Sequence, residues 1–460
     1  MIRIFNHYFQ RRALLQAVAD LGLFALVMLT AAAVQAGGIV RLFPAASTHI
    51  LSLAAGMVVI GSASGIYQQS PRATAVQTFA RAVVMLLFAL PLTFLATGFL
   101  APDLAERPAI QLAGVLGIGA VVLRRAYLLH WGAQPRASSR VLVFGSGAAA
   151  QVVGETLRKA DPQVELVGYL SGPNEREVAV RAAEILPGER SLIDTATALG
   201  VDEIVVALTE RRAGSMPLRQ LLDCKLQGIK VYDLAGHFEK RLGQIRIDFV
   251  NAGWLVFGDG FNQGALRGAI KRVSDIVLAA VLIAVAAPVM LLTALAIRLD
   301  SRGPVFYRQE RVGLNGRTFM VTKFRSMRAD AERDGRPRWA SATDDRITRV
   351  GNVIRKVRID ELPQLFDVLR GDMSLVGPRP ERPYFVEQLT REIPYYAARH
   401  SVKPGVTGWA QVRYQYGSSV EDAQEKLQYD LYYVKNMSGL LDIDILLSTI
   451  RVVLFGKGAR

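Results

Sequence analysis

The chain has 460 residues, is 51% hydrophobic, and carries 55 Lys and Arg against 40 Asp and Glu, a net charge of +15 at pH 7. A single cysteine, Cys224, excludes an internal disulfide and fits a reducing compartment, and the five scattered histidines form no metal-ligand pattern. No helix-turn-helix, zinc-finger or RNA-binding signature is present, so nucleic acid is not an expected partner; the charge points to anionic lipid or phosphate.

Four apolar runs fill the first third, at 17–36, 50–67, 79–100 and 110–129. Each is close to the roughly 20 residues that a helix needs to cross about 30 Å of hydrocarbon. Arg3, Arg11 and Arg12 precede the first, and Arg124, Arg125, Arg136 and Arg140 follow the fourth. The positive-inside rule therefore predicts a four-helix transmembrane bundle over 1–131 with both ends in the cytoplasm.

After the linker GAQPRASS at 132–139, short β-rich runs alternate with helical ones. Strands are predicted at 141–144, 164–170, 203–208 and 228–232, with a helix from 218 to 227 behind Pro217. That alternation predicts a Rossmann-like α/β domain over 138–250, built on a parallel, doubly wound sheet. The turn GSGAAA at 145–150 has the glycines, Gly145 and Gly147, of a nucleotide-binding turn. The acidic residue expected at the end of the second strand is missing, since LSGPN occupies 170–174. A bound pyrophosphate and plain tight strand–helix packing both remain readings of this turn.

A further apolar run, 276–297, is long enough to span but has basic residues on both sides, Lys271 and Arg272 before it and Arg298, Arg302, Arg308 and Arg311 after it. Pro288 sits just past its middle, where proline removes a backbone hydrogen bond. These features favour a re-entrant helix–break–helix over 273–299 that enters and leaves on one face; a kinked span is the alternative.

Downstream, RIDELPQLFDVLRG at 358–371 sets two carboxylates side by side. Leu362, Leu365, Phe366 and Leu369 give one apolar helical face, with Asp360 as N-cap, Pro363 in the first turn and Gly371 as terminator. Capping alone would explain an isolated Asp360. Arg355, Lys356 and Arg358 upstream and GPRP at 377–380 downstream surround the pair with cations, an environment that keeps a carboxylate ionised and welcomes phosphate. Lys323 and Arg325 alternate with Phe324 on a predicted strand, so the two share a face. A polar helix is predicted at 421–436, with Tyr429, Tyr432 and Tyr433 suited to base stacking or interfacial anchoring, and an amphipathic helix at 440–455 on the membrane surface.

From Lys271 to about Phe455 the chain resembles the bacterial sugar transferase family, the monotopic polyprenyl-phosphate sugar-1-phosphate transferases. The matching stretches are KRVSD at 271–275, GPVFYRQERVG at 303–313, KFRSM at 323–327, DELPQ at 360–364, GDMSLVGPRP at 371–380 and KPGVTGWAQ at 403–411. The preceding spans and α/β domain resemble the family's long form, which starts exopolysaccharide or O-antigen repeat units. The resemblance implies a mainly α (α+β) catalytic domain over 268–460 containing the re-entrant membrane helix. It implies Asp360 as nucleophile and Glu361 as catalytic partner and ligand for Mg²⁺, with Arg355, Arg379, Lys323 and Arg325 on substrate phosphates. Pro288 would mark the membrane break, although Ala287 stands where the family has a serine. The implied partners are a UDP-sugar, undecaprenyl phosphate and membrane lipid, with a homodimer as a candidate assembly. The implied location is the cytoplasmic face of the bacterial inner membrane.

Two other function classes make their own predictions. A nucleotide-sugar oxidoreductase or dehydratase would carry a Tyr-x-x-x-Lys pair on a helix following the central sheet, and none is found there. A non-catalytic scaffold would not need Asp360.

Overall fold

Apolar periodicity near the N-terminus, strand–helix alternation in the centre and mixed elements beyond it each become recognisable structure in a computed structural model of the chain. The structure describes residues 2–4, 7–9, 11–36, 46–64, 108–130, 139–160, 164–173, 178–188, 190–208, 216–250, 264–328, 346–414 and 419–455, with isolated positions between them. The chain divides into two units, Met1–Ala126 with Gly258–Arg460, and Tyr127–Phe257.

At the N-terminus β1 (Ile2–Ile4) and β2 (His7–Phe9) form an antiparallel hairpin ahead of α1 (Arg11–Ala36). The helices α2 (Ala46–Ser64) and α3 (Pro108–His130) carry the second and fourth apolar runs; the third, 79–100, lies outside the described residues. Phe24 and Met28 of α1, Ala54 and Met57 of α2, and Ile118 and Val121 of α3 share one core. Asp20 of α1 is fully buried and is ion-paired with Arg124 of α3, so the charge inside this apolar cluster is matched rather than isolated. Among the described residues two helices are long and apolar enough to cross a membrane, Ala13–Ala31 within α1 and Gly264–Asp300; the apolar stretches of α2 and α3 are shorter.

The second unit holds a four-stranded, all-parallel sheet of order β4-β3-β5-β6, from β3 (Ser139–Phe144), β4 (Val164–Leu170), β5 (Glu203–Val206) and β6 (Lys230–Asp233). Residue alternation along β3 explains its two-sided burial. Val141 and Val143 pack with α4 (Ala148–Ala160) and with Leu234 and Phe238 beyond β6, while Leu142 and Phe144 pack with α5 (Leu192–Ala198) and α6 (Leu218–Leu226). Asp233 caps the next helix, α7 (Leu234–Leu242), accepting from Gly236 N at 2.8 Å. The predicted strands and the helix behind Pro217 are therefore present, with ends shifted by two residues or fewer.

The C-terminal part opens with α8 (Gly264–Asp300), a 37-residue helix with Pro288 inside it. Its backbone stays helical through Pro288, so the expected break is not a non-helical gap. Only one intrahelical bond is lost at a proline, and the turns on either side still hold. Thr293 Oγ1 donates to the Val289 carbonyl at 2.7 Å just beyond it. The antiparallel pair β7 (Phe306–Val312) and β8 (Thr318–Phe324) follows. Then come α9 (Arg349–Lys356), a 3₁₀ turn at Ile359–Glu361, α10 (Gln364–Arg370), and β9 (Ser374–Val376), which pairs in parallel with β10 (Gly405–Thr407). The remaining helices are α11 (Pro383–Glu392), α12 (Trp409–Arg413), α13 (Val420–Asn436) and α14 (Gly439–Phe455).

Both ends of α8 dock on this same C-terminal body. Near its start the Arg272 guanidinium donates to the Val368 and Leu369 carbonyls at 2.6 and 2.8 Å, and Asp275 accepts from Leu375 N at 3.2 Å. Near its end Met290 and Ile297 pack with Phe324 and Ile354, and Asp300 accepts from Val350 N at 3.2 Å. Between these docks one face is left open, with Val277, Val281, Val285, Leu291, Leu292 and Leu295 all exposed.

Two expectations for the C-terminus need correction. Tyr432 and Tyr433 are buried, not available for stacking on a base: Tyr433 Oη donates to the Val376 carbonyl at 2.9 Å, and Tyr432 stacks on Trp409 at 5.9 Å. The segment 440–455 is not simply a surface helix either. Leu441 and Ile445 are fully buried, and Arg451 donates to the Ser62 carbonyl of α2 at 2.8 Å.

Candidate active site

Three short elements bring the acidic pair to its cations. Thr322 of β8 donates its N–H and hydroxyl to the buried Asp367 of α10 at 2.8 and 3.1 Å, which fixes strand against helix. Lys323, next along β8, then reaches Glu361 Oε1 at 3.0 Å. Arg379, from the turn after β9, reaches the same oxygen at 3.0 Å, and Arg358 stands 3.7 Å from Oε2. Arg358 adopts a left-handed backbone, φ 60°, where the chain leaves α9 and enters the 3₁₀ turn that holds Asp360 and Glu361.

The local helix differs from expectation. Asp360 does not cap it, because Ile359–Glu361 forms a separate 3₁₀ turn and α10 begins only at Gln364, after Pro363. The buried face of α10 uses Leu365 and Val368, whereas Phe366 is exposed. Gly371 does end the helix, at φ 99°, donating to the Asp367 and Val368 carbonyls.

Released from capping, Asp360 is buried, and its Oδ1 accepts no hydrogen bond. Burial, and secondarily the charge of Glu361, raises its carboxyl above the usual range against the opposing pull of Lys323, Arg379 and Arg355. Glu361 goes the other way. Burial alone would raise it, but Lys323, Arg379 and Arg358 outweigh that and hold it well below the usual range. Two adjacent carboxyls are thus pushed apart: one is permanently ionised within an ion-pair cluster, the other is unengaged at one oxygen.

Beside the pair lies a small cleft of about 10 Å³, lined by Arg311, Val321, Lys323, Gln364, Arg379, Pro380 and Gly405. Its cationic walls suit a phosphorylated ligand. Arg355, half-buried on α9, acts on Asp360 through its charge. Arg325 does not join the cluster. Its buried guanidinium is spent on the end of α8, donating to the Ser301 and Arg302 carbonyls at 2.7 and 2.8 Å and to Ser301 Oγ at 2.9 Å.

Among the described residues no group of three or more His, Cys, Asp or Glu side chains could hold a metal ion. A metal here would meet few protein oxygens. Glu361, the expected ligand, would contribute only by sharing oxygens that already face cations. An ion held so sparsely would keep most of its coordination for water and phosphate, as a small hard ion does.

In the central unit the turn at Gly145 and Gly147 is built as expected. Gly145 has φ 134°, and a Cβ there would come within 2.9 Å of the Ala207 carbonyl oxygen. Its donors are already engaged: the Glu175 carboxylate accepts from Ser146 N and Oγ at 2.7 and 2.9 Å, from Gly147 N at 3.3 Å and from Gly172 N at 3.0 Å. An internal carboxylate thus sits at the N-terminus of α4, where a pyrophosphate would bind. This arrangement favours the packing reading.

Residues 266–456 match the family described as bacterial sugar transferase. Over 355 residues the chain is 33% identical to the UDP-glucose:undecaprenyl-phosphate glucose-1-phosphate transferase of Xanthomonas campestris pv. campestris, covering 74% of this chain and 72% of that one. The chain belongs to the bacterial sugar transferase family. Among other family members, it is 44% identical over 263 residues to the UDP-N-acetylgalactosamine-undecaprenyl-phosphate N-acetylgalactosaminephosphotransferase of Aeromonas hydrophila, covering 57% of this chain and 61% of the relative. It is 47% identical over 194 residues to the undecaprenyl-phosphate glucose phosphotransferase of Komagataeibacter xylinus, covering 41% of this chain and 36% of the relative. It therefore spans less than two thirds of the length of these two relatives.

Within this transferase domain, sequence reasoning missed Gln364 and Arg311 as lining of the cleft and counted Arg358 only as one of the cations around the pair. Arg358 stood in the acidic stretch itself, but nothing in its spacing signals the left-handed turn that brings it back to Glu361.

Proposed function

We propose that this family member is a phosphoglycosyl transferase that moves a sugar-1-phosphate from a UDP-sugar to undecaprenyl phosphate, initiating exopolysaccharide or O-antigen repeat units. The observation that carries this reading is the buried Asp360 with an open Oδ1 beside a Glu361 locked into three cations. The printed activities of the relatives support the substrate classes.

The residues divide the work by chemistry. Lys323 and Arg379 line the cleft and bind the donor's phosphates; Arg355 adds positive potential at Asp360. Asp360 Oδ1 attacks the sugar-bearing phosphorus, the bond from that phosphorus to the bridging oxygen breaks, and UMP leaves. The resulting sugar-1-phosphoryl-aspartate is an acyl phosphate, activated enough to pass the group on. An oxygen of undecaprenyl phosphate attacks the same phosphorus, releasing the Asp360 carboxylate and forming the lipid diphosphate sugar. Glu361 cannot substitute for Asp360, because both its oxygens face cations. Mg²⁺, held by Glu361, would supply charge neutralisation on the phosphates.

The reading of membrane placement starts from α8. A helix that crossed a bilayer could not have both ends bound to one soluble body, and here Arg272 and Asp300 both bind the C-terminal part. The open apolar face of α8 is therefore read as lipid-facing and re-entrant, with the catalytic domain on the cytoplasmic face where UDP-sugars are. The N-terminal helices are read as a transmembrane bundle.

Purified full-length protein with undecaprenyl phosphate and UDP-glucose or UDP-N-acetylgalactosamine should release UMP with at least one donor. Release of UDP instead would mean simple glycosyl transfer and would overturn the proposal.

A further inference from the structure

Arg379 sits between Pro378 and Pro380, so its backbone is stiff and neither flanking residue offers an N–H. The aim of its guanidinium then depends on what holds the turn. Four consecutive carbonyls are held, from three places. Pro378 O accepts from Gly405 N at 3.0 Å, Arg379 O from Arg399 Nη2 at 2.9 Å, Pro380 O from Arg311 Nη1 at 3.0 Å, and Glu381 O from Val312 N at 2.9 Å.

The second of these contacts is the unusual one. Arg399 is buried at the 3₁₀ segment Tyr396–Ser401, and its guanidinium meets the buried Asp430 of α13 at 2.7 Å and Tyr396 Oη at 2.7 Å. Asp430 is 1% exposed, and neither of its carboxylate oxygens accepts a hydrogen bond, so its hold on Arg399 is the ion pair alone. A buried ion pair whose hydrogen bonds are only partly satisfied is a poor source of stability, since desolvation consumes most of its attraction. Its distinctive effect here is geometric: it delivers one guanidinium N–H to the carbonyl of the residue whose side chain holds Glu361.

We propose that Arg399, fixed by Asp430, is a positioning residue that aims Arg379 at Glu361 and the donor's diphosphate. It touches neither substrate nor the reacting carboxylate and acts wholly through Arg379. The inference rests on the transferase reading only for its kinetic consequence.

The test is a double-mutant cycle with a structural arm. Arg399→Lys keeps a cation beside Asp430 but shortens the reach to the Arg379 carbonyl, so the fold is retained. The efficiency of UMP release, kcat/KM for the donor, should fall roughly 10- to 100-fold, the scale of a misplaced binding group. In an Arg379→Ala background the same change should cost less than about twofold, because the residue it aims is gone. Equal losses in both backgrounds would mean a general structural role and overturn the proposal. The structural arm does not depend on the reaction: a structure of the Arg399→Lys protein should have Arg379 displaced from Glu361 while Arg311 still holds Pro380. An unchanged 3.0 Å contact between Arg379 and Glu361 would overturn positioning even if no transfer were found with any donor, whereas absent transfer by the wild-type chain would count against the transferase reading alone.

Discussion

The Asp360→Asn protein should lose UMP release by at least about 10⁴-fold, the scale on which removal of a nucleophile acts, while its melting temperature stays equal or rises. The amide is nearly the same size but cannot attack phosphorus. The stability half of this expectation follows from linkage. Burial, followed by the neighbouring Glu361, raises the Asp360 carboxyl in the folded state, so its ionised form disfavours folding at every pH above the unfolded value of this group. That penalty grows as pH rises from the unfolded value through the raised folded one and is constant beyond it. Removing the charge removes the penalty at neutral pH, the familiar opposition between stability and a poised active site. The same shift predicts an acid limb in the wild-type rate profile above the ordinary aspartate range. Glu361, held low by its three cations, adds no limb there. A variant with wild-type turnover would remove Asp360 as nucleophile; one that is inactive but markedly less stable would point to a structural role.

The topology of α8 gives an all-or-none result. Both ends of the helix are bound to the C-terminal body, so cysteines introduced by Arg267→Cys and by Arg302→Cys should behave identically. Both positions are exposed, and neither side chain is used in the docks described above. In a Cys224→Ser background, each should resist a membrane-impermeant thiol reagent on intact spheroplasts and react after lysis. Ser301 is a poorer choice, because its hydroxyl accepts from Arg325. Opposite labelling of the two positions would mean that the helix crosses, and would expel the catalytic domain from the donor's compartment.

How much of this could be read beforehand depended on the range of the physics involved. Strand alternation and glycine turns are local, so the central sheet was legible almost to its ends. Asp360, Glu361 and Arg379 stood out because adjacent carboxylates flanked by cations are a local pattern too, whereas Lys323, far from them in sequence, came from strand alternation and the family resemblance. Arg325 shares a strand face with Lys323, but face does not fix where a long side chain ends, and the carbonyls at the end of α8 took it. The apolar spacing that put Phe366 in the core missed that Asp367, a charged residue, would be the buried member, because the Thr322 donors that make that burial tolerable together with Arg370 come from a distant strand. Arg399 and Asp430 were invisible for the same reason: Arg399 donates to a backbone carbonyl 20 residues away, and Asp430 meets it from the distant helix α13. Asp360 read as a cap because one continuous helix was assumed. Instead the left-handed Arg358 opens a separate 3₁₀ turn at Ile359–Glu361, and α10 begins only at Gln364.

The central claim is a covalent intermediate on Asp360, and mass spectrometry of the wild-type protein after brief exposure to UDP-sugar alone tests it most directly. The account predicts a stoichiometric burst of UMP without lipid and a sugar-phosphate adduct on the peptide containing Asp360, discharged when undecaprenyl phosphate is added. No adduct, with UMP release strictly dependent on lipid even in a single turnover, would contradict it and require direct transfer within a ternary complex.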